Sequence, residues 1–494
     1  MNKLIKNPIA IFVVLLFAGS IYIAIDSFFL KKTPSANSRR IAVLPFDNFS
    51  PDPQDEYIAD GMTEELISRL SRVKDLSVIA RTSIMKYKNN PTAITTIGNA
   101  LNVGTILEGS IRKDQDKLRV TVQLIRVSDE SHLWAQNYDR SAYDVFAIQN
   151  DIANNVADAL EIQLLIQEKQ QVKTVKNIKP KVHQLYLRGR YNLYQYTGEG
   201  FFKARDYFEQ AIRLDPKYAR AYAGLADSYY WMSNLYIPPK EAIPKAKAAA
   251  ERALELDNTL AEAYTSLATI SAFYDWDWSA AEKAFKQAIA LNSNYASAYH
   301  LYGIFLCVHK RFDEAEAVFN KALQLDPLST SIENTAIWPL VFNDKPQEAI
   351  SKLTALTERE PNFFPAHELL GFSYEQTGDF KSAIAEYKKA FEISKHSGIL
   401  SSLGYGYAMA GKKDSALVVL DTLLTRKKNG QNVPPEKLAT IYLGLGDTEN
   451  MFKWLENAYE NRGEELVFVY IAHRYKNFHS HPRYVALMKK IGFD

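Results

Sequence analysis

Three histidines near the C-terminus, His473, His479 and His481, are the side chains best suited to hold a metal. Neutral imidazoles at His-x-His spacing ligate zinc when a further donor comes close. The same pattern suits a solvated turn ahead of a last short helix. The chain's single cysteine, Cys307, supplies neither a thiolate set nor a disulfide, so no metal is expected. A second candidate is YDWDWSAAEKAF, residues 274–285, where Trp276 and Trp278 flank Asp277. Such a group is either an aromatic box for a ligand or a piece of core. The sequence has no phosphate loop, dinucleotide fingerprint, nucleophile elbow or H-E-x-x-H zinc helix. Its carboxylates lie along amphipathic stretches, where pairing with lysine one turn away is the common role. No enzyme activity and no cofactor are expected.

The elements that must position these residues belong to more than one domain, because 494 residues exceed a single core. With 47% hydrophobic and 23% charged residues the chain is globular, and a net charge of +2 gives no general field for nucleic acid. A tail of residues 1–7 precedes PIAIFVVLLFAGSIYIAI (8–25), eighteen residues without charge, and Phe28, Phe29 and Leu30 prolong the apolar run. That length predicts a single transmembrane helix over 8–30; the alternative, a cleaved signal peptide, has a shorter apolar core and an A-x-A site. A basic linker, 31–40, follows. Counting lysines and arginines on either side of the span slightly favours a cytosolic body.

Residues 41–168 read as an α+β domain, one mixed sheet with helices. IAVLPF (41–46) and LSVIAR (76–81) are short apolar strands, and a helix from Glu64 to Val73 lies between them with Thr63 near its start. Three more strands follow after a second helix. In LRVTVQLI (118–125) Leu118, Val120, Val122 and Leu124 alternate with polar residues, the mark of a half-buried strand. A last helix after Ser141 carries the stripe Ile148, Ile152, Val156, Leu160. The blocks IAVLPFDNFS, DEYIADGMTEELISRLSRV, ILEGSIRK, LRVTVQLIRV and HLWAQNYDR resemble the amino-terminal domain of TolB and its relatives. That resemblance implies a bacterial envelope protein with a periplasmic body and a protein partner on this domain. Some relatives carry a cyclase, kinase or winged-helix domain upstream, for which 40 residues are too few.

After a lysine-rich linker, 169–181, helix ends recur at Asp215, Asp257, Asn292, Asp326, Glu360 and Ser394; the last three intervals are each 34 residues. Tyr299, Gly303, Ala315, Phe319, Ala322 and Pro327 hold key positions in the repeat that starts at Ala296, and Gly371, Tyr374, Ala383, Tyr387 and Ala390 hold them in the repeat that starts at Phe364. This resembles the tetratricopeptide repeat and implies about eight helix pairs over 182–461, stacked into a superhelix because no pair buries its apolar face alone. Trp278 falls at the position of Phe312 and Phe380, a core position. The interval from Asp257 to Asn292 is 35 residues and leaves one extra residue near Trp276, the one aromatic here without a counterpart. Ser279 and Glu282 read as a capping box. Residues 462–494 read as a capping segment that ends in a short helix after Pro482.

In tetratricopeptide arrays the first helix of each pair faces an inner wall that holds peptides or partner helices. Projected by repeat, that wall is Tyr230, Trp231, Phe273, Ile304, Val308, Trp338, Val341, Phe342, Phe372 and Tyr405, apolar and aromatic and open for docking. The expected function is a membrane-anchored adaptor, with a protein or peptide partner in the groove, another on the amino-terminal domain, and no nucleic acid. The alternative is the sensor subunit of a membrane signalling system, acting on a separate output protein.

Overall fold

The computed structural model describes residues 39–160, 179–233 and 236–493. The expected tail 1–7 and span 8–30 lie outside the described residues, as do most of linkers 31–40 and 169–181. Among the described residues, no helix is long and apolar enough to cross a membrane.

Alternating burial along Lys117–Arg126 makes this a strand with one face on the core of the amino-terminal sheet: Leu118, Val120, Val122 and Leu124 are buried, and Arg119 and Thr121 are exposed. The strands are β1 (Arg40–Val43), β2 (Asp47–Asn48), β3 (Ser77–Val78), β4 (Thr105–Asp114), β5 (Lys117–Arg126) and β6 (His132–Ser141). Their order is β3-β1-β4-β5-β6, with β2 also on β4. The β1–β3, β1–β4 and β2–β4 pairings are parallel, and β4–β5 and β5–β6 antiparallel, so the sheet is mixed. Helices α1 (Glu56–Leu70) and α4 (Val145–Ala159) pack on one face, over Ile41, Val43, Leu107 and Val122. Helices α2 (Arg81–Ile84) and α3 (Ile94–Leu101) pack near the other, over Ala42, Leu44 and Ile106. Helix α1 begins at Glu56, eight residues before the expected start. Thr63 therefore lies inside it, where its hydroxyl donates to Ala59 O (3.0 Å) and accepts from Phe46 N–H (3.0 Å).

Eight helix pairs follow among the described residues: α5 (Pro180–Leu193) with α6 (Gly198–Leu214), α7 (Ala219–Met232) with α8 (Pro239–Leu256), α9 (Ala261–Ile270) with α10 (Trp278–Leu291), and α11 (Ala296–Val308) with α12 (Phe312–Leu325). The fifth pair has a broken first helix, α13 (Thr330–Thr335) and α14 (Trp338–Phe342), against α15 (Pro346–Arg359). Then come α16 (Phe364–Gln376) with α17 (Phe380–Ser394), α18 (Ser397–Met409) with α19 (Lys413–Lys428), and α20 (Pro435–Gly444) with α21 (Thr448–Glu460). Glycine sets the close approach within pairs: a Cβ on Gly303 would sit 2.6 Å from the Phe319 ring, and one on Gly371 2.6 Å from Tyr387. Phe319 thus fills the space within its own pair. The extra residue of the third repeat is absorbed by one π-helical turn, Ser271–Asp275, which ends at Trp276 with φ +59°. Helix α10 is capped by Asp277, whose carboxylate accepts from Ala280 N–H at 3.0 Å, so Ser279 and Glu282 form no capping box. Glu282 instead pairs with Lys286 and Arg311 and accepts from the Tyr302 hydroxyl.

The sheet domain is docked on the array through repeat ends. Asn294 donates to Ser71 O (2.9 Å) and Leu76 O (2.8 Å), and Asn292 to the Ser71 hydroxyl (3.0 Å). Ala80 N–H donates to Leu325 O, and Ser83 donates to Asp326 (2.5 Å) while accepting from Leu328 N–H. On the other flank Arg220 grips Glu65, and Arg190 donates to Glu64 (2.8 Å). Burial raises the carboxyl of Glu65, but Arg220 and Arg69 outweigh it and hold it down to about 2.

Candidate functional site on the inner face of the array

The inner wall is not open along its length, as the sequence reading expects. After α21 the chain turns at Gly463 and crosses the wall as two 3-10 segments, Glu464–Tyr470 and His473–Phe478, before α22 (Pro482–Lys490). The physical reason is the aromatic surplus of both surfaces: an array with so many unpartnered rings lowers its free energy by covering them with its own chain. Phe468 stacks on Phe273 (6.1 Å between centroids) and meets Trp338 edge-on (5.6 Å). Ile304, Val308 and Phe342 pack in or against the same cluster. Arg474 lies over Phe372 (4.9 Å) and Tyr405 (4.6 Å).

Seven of the ten projected residues thus face the tail or its cluster. Val341 instead fills the gap beneath α14, against Leu353 and Leu370. Tyr230 packs near Ile270 and Tyr274. Trp231 is exposed, stacked on Phe201 (6.2 Å) and in edge contact with Tyr196 (5.5 Å).

The two tryptophans of 274–285 receive the end of the chain. Trp276 is buried, stacked on Tyr459 (5.3 Å) with Arg462 also over its ring (4.4 Å). Half-buried Trp278 donates its indole N–H to Gly492 O (3.1 Å) and stacks on Phe493 (4.8 Å). The three histidines are spread apart. His473 lies by Glu375 and Phe372, His479 stacks on Tyr484, and His481 stacks on Phe452 and accepts from Arg483 N–H. Among the described residues, no group of three or more potential ligands gathers at one point.

Sequence reasoning missed the polar centre of this interface. Arg474 donates to both carboxylate oxygens of Glu375 (2.6 and 2.7 Å) and to the Tyr387 hydroxyl (3.0 Å); Tyr387 in turn donates to Glu375 (2.6 Å). Burial opposes the charge on Glu375, yet Arg474 and His473 hold its carboxyl down to about 2. The one available signal is Glu375 itself, a carboxylate at a buried position of α16. Ninety-nine residues separate it from Arg474.

Between the tail and helices α14, α16, α18 and α20 a cavity of about 390 Å³ remains. Its half-buried aromatic lining is Trp338, Phe342, Phe372 and Phe468, with buried Tyr475 beside them. Its charged lining is Glu368, Glu436, Lys437, Glu465 and Arg474. Lys437 pairs with Glu465, and Glu368 accepts a long hydrogen bond from Ser402 (3.5 Å).

Superhelix, glycine-spaced pairs and covered inner wall define a tetratricopeptide-repeat protein with a docked α+β module. Tetratricopeptide-repeat models match residues 270–330 and 364–397. For residues 37–155 the matching model is the second domain of HilA/YgeH-like transcriptional regulators. The chain is 37% identical over 186 residues to a Rhizobium meliloti protein named as a candidate adenylate cyclase, covering 38% of this chain and 32% of that protein. It is 26% identical over 321 residues to the transcriptional regulator HilA of Salmonella typhimurium, covering 64% and 56%. The chain therefore spans about a third to just over half of these relatives. Among solved structures, a tetratricopeptide repeat protein from Parabacteroides merdae is similar at 16% identity and a TM-score of 0.40, over 53% of this chain and 99% of that one.

Proposed function

We propose that the chain is a non-enzymatic protein-interaction adaptor, held in the bacterial inner membrane by residues 8–30 with its body in the periplasm. The observation that carries this is the docking of the α+β module onto the repeat ends through Asn292, Asn294 and Asp326, which makes one packed body with two kinds of surface. The resemblance of 41–168 to the TolB amino-terminal domain supports a protein partner on the sheet side. On the array, the projected residue left open is Trp231, with exposed Tyr196 beside it, and exposed rings of this kind are the usual anchors of protein interfaces. The test is affinity capture of the full chain after cross-linking in intact cells. Stable protein partners that are lost in Trp231→Ala support the adaptor; recovery of none above a mock capture overturns it. A periplasm-active reporter fused after Asp494 tests topology, and a silent fusion beside an active cytosolic one reverses the orientation.

A second reading, a sensor that binds a small ligand and acts on a separate output protein, is favoured by one observation. The cavity is lined jointly by the array and the tail, so a ligand there would bias the tail's position.

A further inference from the structure

We infer that this cavity is a binding site for a small organic cation, an amine carrying an aromatic or aliphatic body. The inference deepens the sensor reading by naming a ligand class, and it stands apart from the adaptor reading. At about 390 Å³ the cavity falls within the range of about 300–1,000 Å³ usual for small-molecule sites. Its walls combine the two features that recognise amines. Four aromatic rings of the lining remain half-buried, and aromatic faces attract cations. Carboxylates are interspersed with them, and their charges are not balanced. Lys437 answers Glu465, and Arg474 is spent on Glu375. Glu368 and Glu436 are left with no ion-pair partner among the described residues.

Unused acceptors mark the same place. Glu436 is 5% exposed and Asn334 6%, both line the cavity, and Oε2 of the first and Oδ1 of the second have no hydrogen-bond partner among the described residues. An acceptor left in this state loses its hydration without replacement, so a donor entering the cavity is favoured. An ammonium group brings both the missing charge and up to three donors. Burial, and then the charge of Glu465, push the carboxyl of Glu436 up to about 7, and burial raises that of Glu368. In both, burial favours the neutral form, and a cation seated in the cavity would favour the charged one.

The test is calorimetric titration of the full chain with phenethylamine, using 2-phenylethanol as the neutral isostere and 3-phenylpropanoate as the anion. The amine binds and the other two do not. Glu436→Gln and Glu368→Gln each weaken the amine by about tenfold or more, the value of one charge-assisted hydrogen bond. Neither lowers the melting temperature of the free protein, because each removes an unpaired carboxylate from the cavity wall. Should one variant fail to fold, the other carries the test. The inference is overturned if alcohol or acid binds as well as the amine, if both variants keep the parent affinity, or if neither phenethylamine nor spermidine binds. Tighter binding of a lysine-containing pentapeptide than of either amine would overturn the small-ligand assignment. Partner capture is a separate measurement, so a failure here leaves the adaptor reading intact.

Discussion

Replacing Arg474 by methionine removes the charge that fastens the tail to the inner wall and keeps most of the side-chain volume. The guanidinium is 9% exposed and Glu375 1%, so little solvent screening applies. In the variant Glu375 stays buried with only the Tyr387 hydroxyl and the more distant His473 as partners. Breaking a buried pair from one side costs about 3–5 kcal/mol, mostly the penalty of the stranded charge. If the tail opens as a unit, this is a change of at least about a hundredfold in its open population. The readout is hydrogen exchange at pH 7 across residues 464–478, which accelerates by that factor. The double variant Glu375→Gln/Arg474→Met removes both charges and recovers most of the loss, because a neutral pair leaves no stranded ion.

Acid gives a second arm. Glu375 has its carboxyl depressed from an ordinary 4.5 to about 2, so its stabilisation is present above about 4.5 and fades as pH falls toward 2. In Arg474→Met burial dominates instead and raises that carboxyl, so mildly acidic pH relieves the damage. Exchange within threefold of the parent at pH 7, or a double variant as damaged as the single one, refutes the clasp.

Four further outcomes are expected. Gly303→Ala places a methyl 2.6 Å from the Phe319 ring and lowers stability by about 1–3 kcal/mol, read as a fall in melting temperature. Asn294→Ala strands Ser71 O and Leu76 O at about 1–3 kcal/mol, and exchange rises over residues 71–80 ahead of the array. Asp277→Ala loses the cap of α10 and about 1 kcal/mol by chemical denaturation, whereas Ser279→Ala changes little. Glu436, raised from 4.5 to about 7, contributes stability that is complete below about 4.5 and is lost as pH rises through about 7. Its surroundings are Glu368, Lys437, Glu465 and Tyr475, and a melting profile over pH 4.5–8 flattens in Glu436→Gln.

The repeats were legible because their information is local. Gly303 against Phe319 and Gly371 against Tyr387 recur at fixed spacing, and the sequence states the spacing directly. The β5 strand was legible for the same reason, since its period of two appears within eight residues. The start of α1 was not. Gly61 weighs against helix in isolation, yet a Cβ there would lie 2.9 Å from Leu187, a contact with the array that no local pattern announces. The extra residue of the third repeat was visible as a count, but a count does not distinguish a longer turn from the π-helical one that forms.

The position of the tail lies further still from local pattern. Phe468 and Arg474 are ordinary residues in a segment whose 3-10 turns carry no helical period, and their partners Phe273 and Glu375 precede them by 195 and 99 residues. An aromatic inner wall therefore has two solutions with one sequence signature: an open groove awaiting a partner, or a groove filled by the chain itself. Aromatic content cannot separate them, because both need the same rings. Charge can. A filled groove must answer its buried charges internally, as Arg474 answers Glu375, and each carboxylate left unanswered marks where the filling stops. Glu368 and Glu436 lie at that boundary, and the cavity beside them is the part of the wall that the tail leaves for something else to occupy.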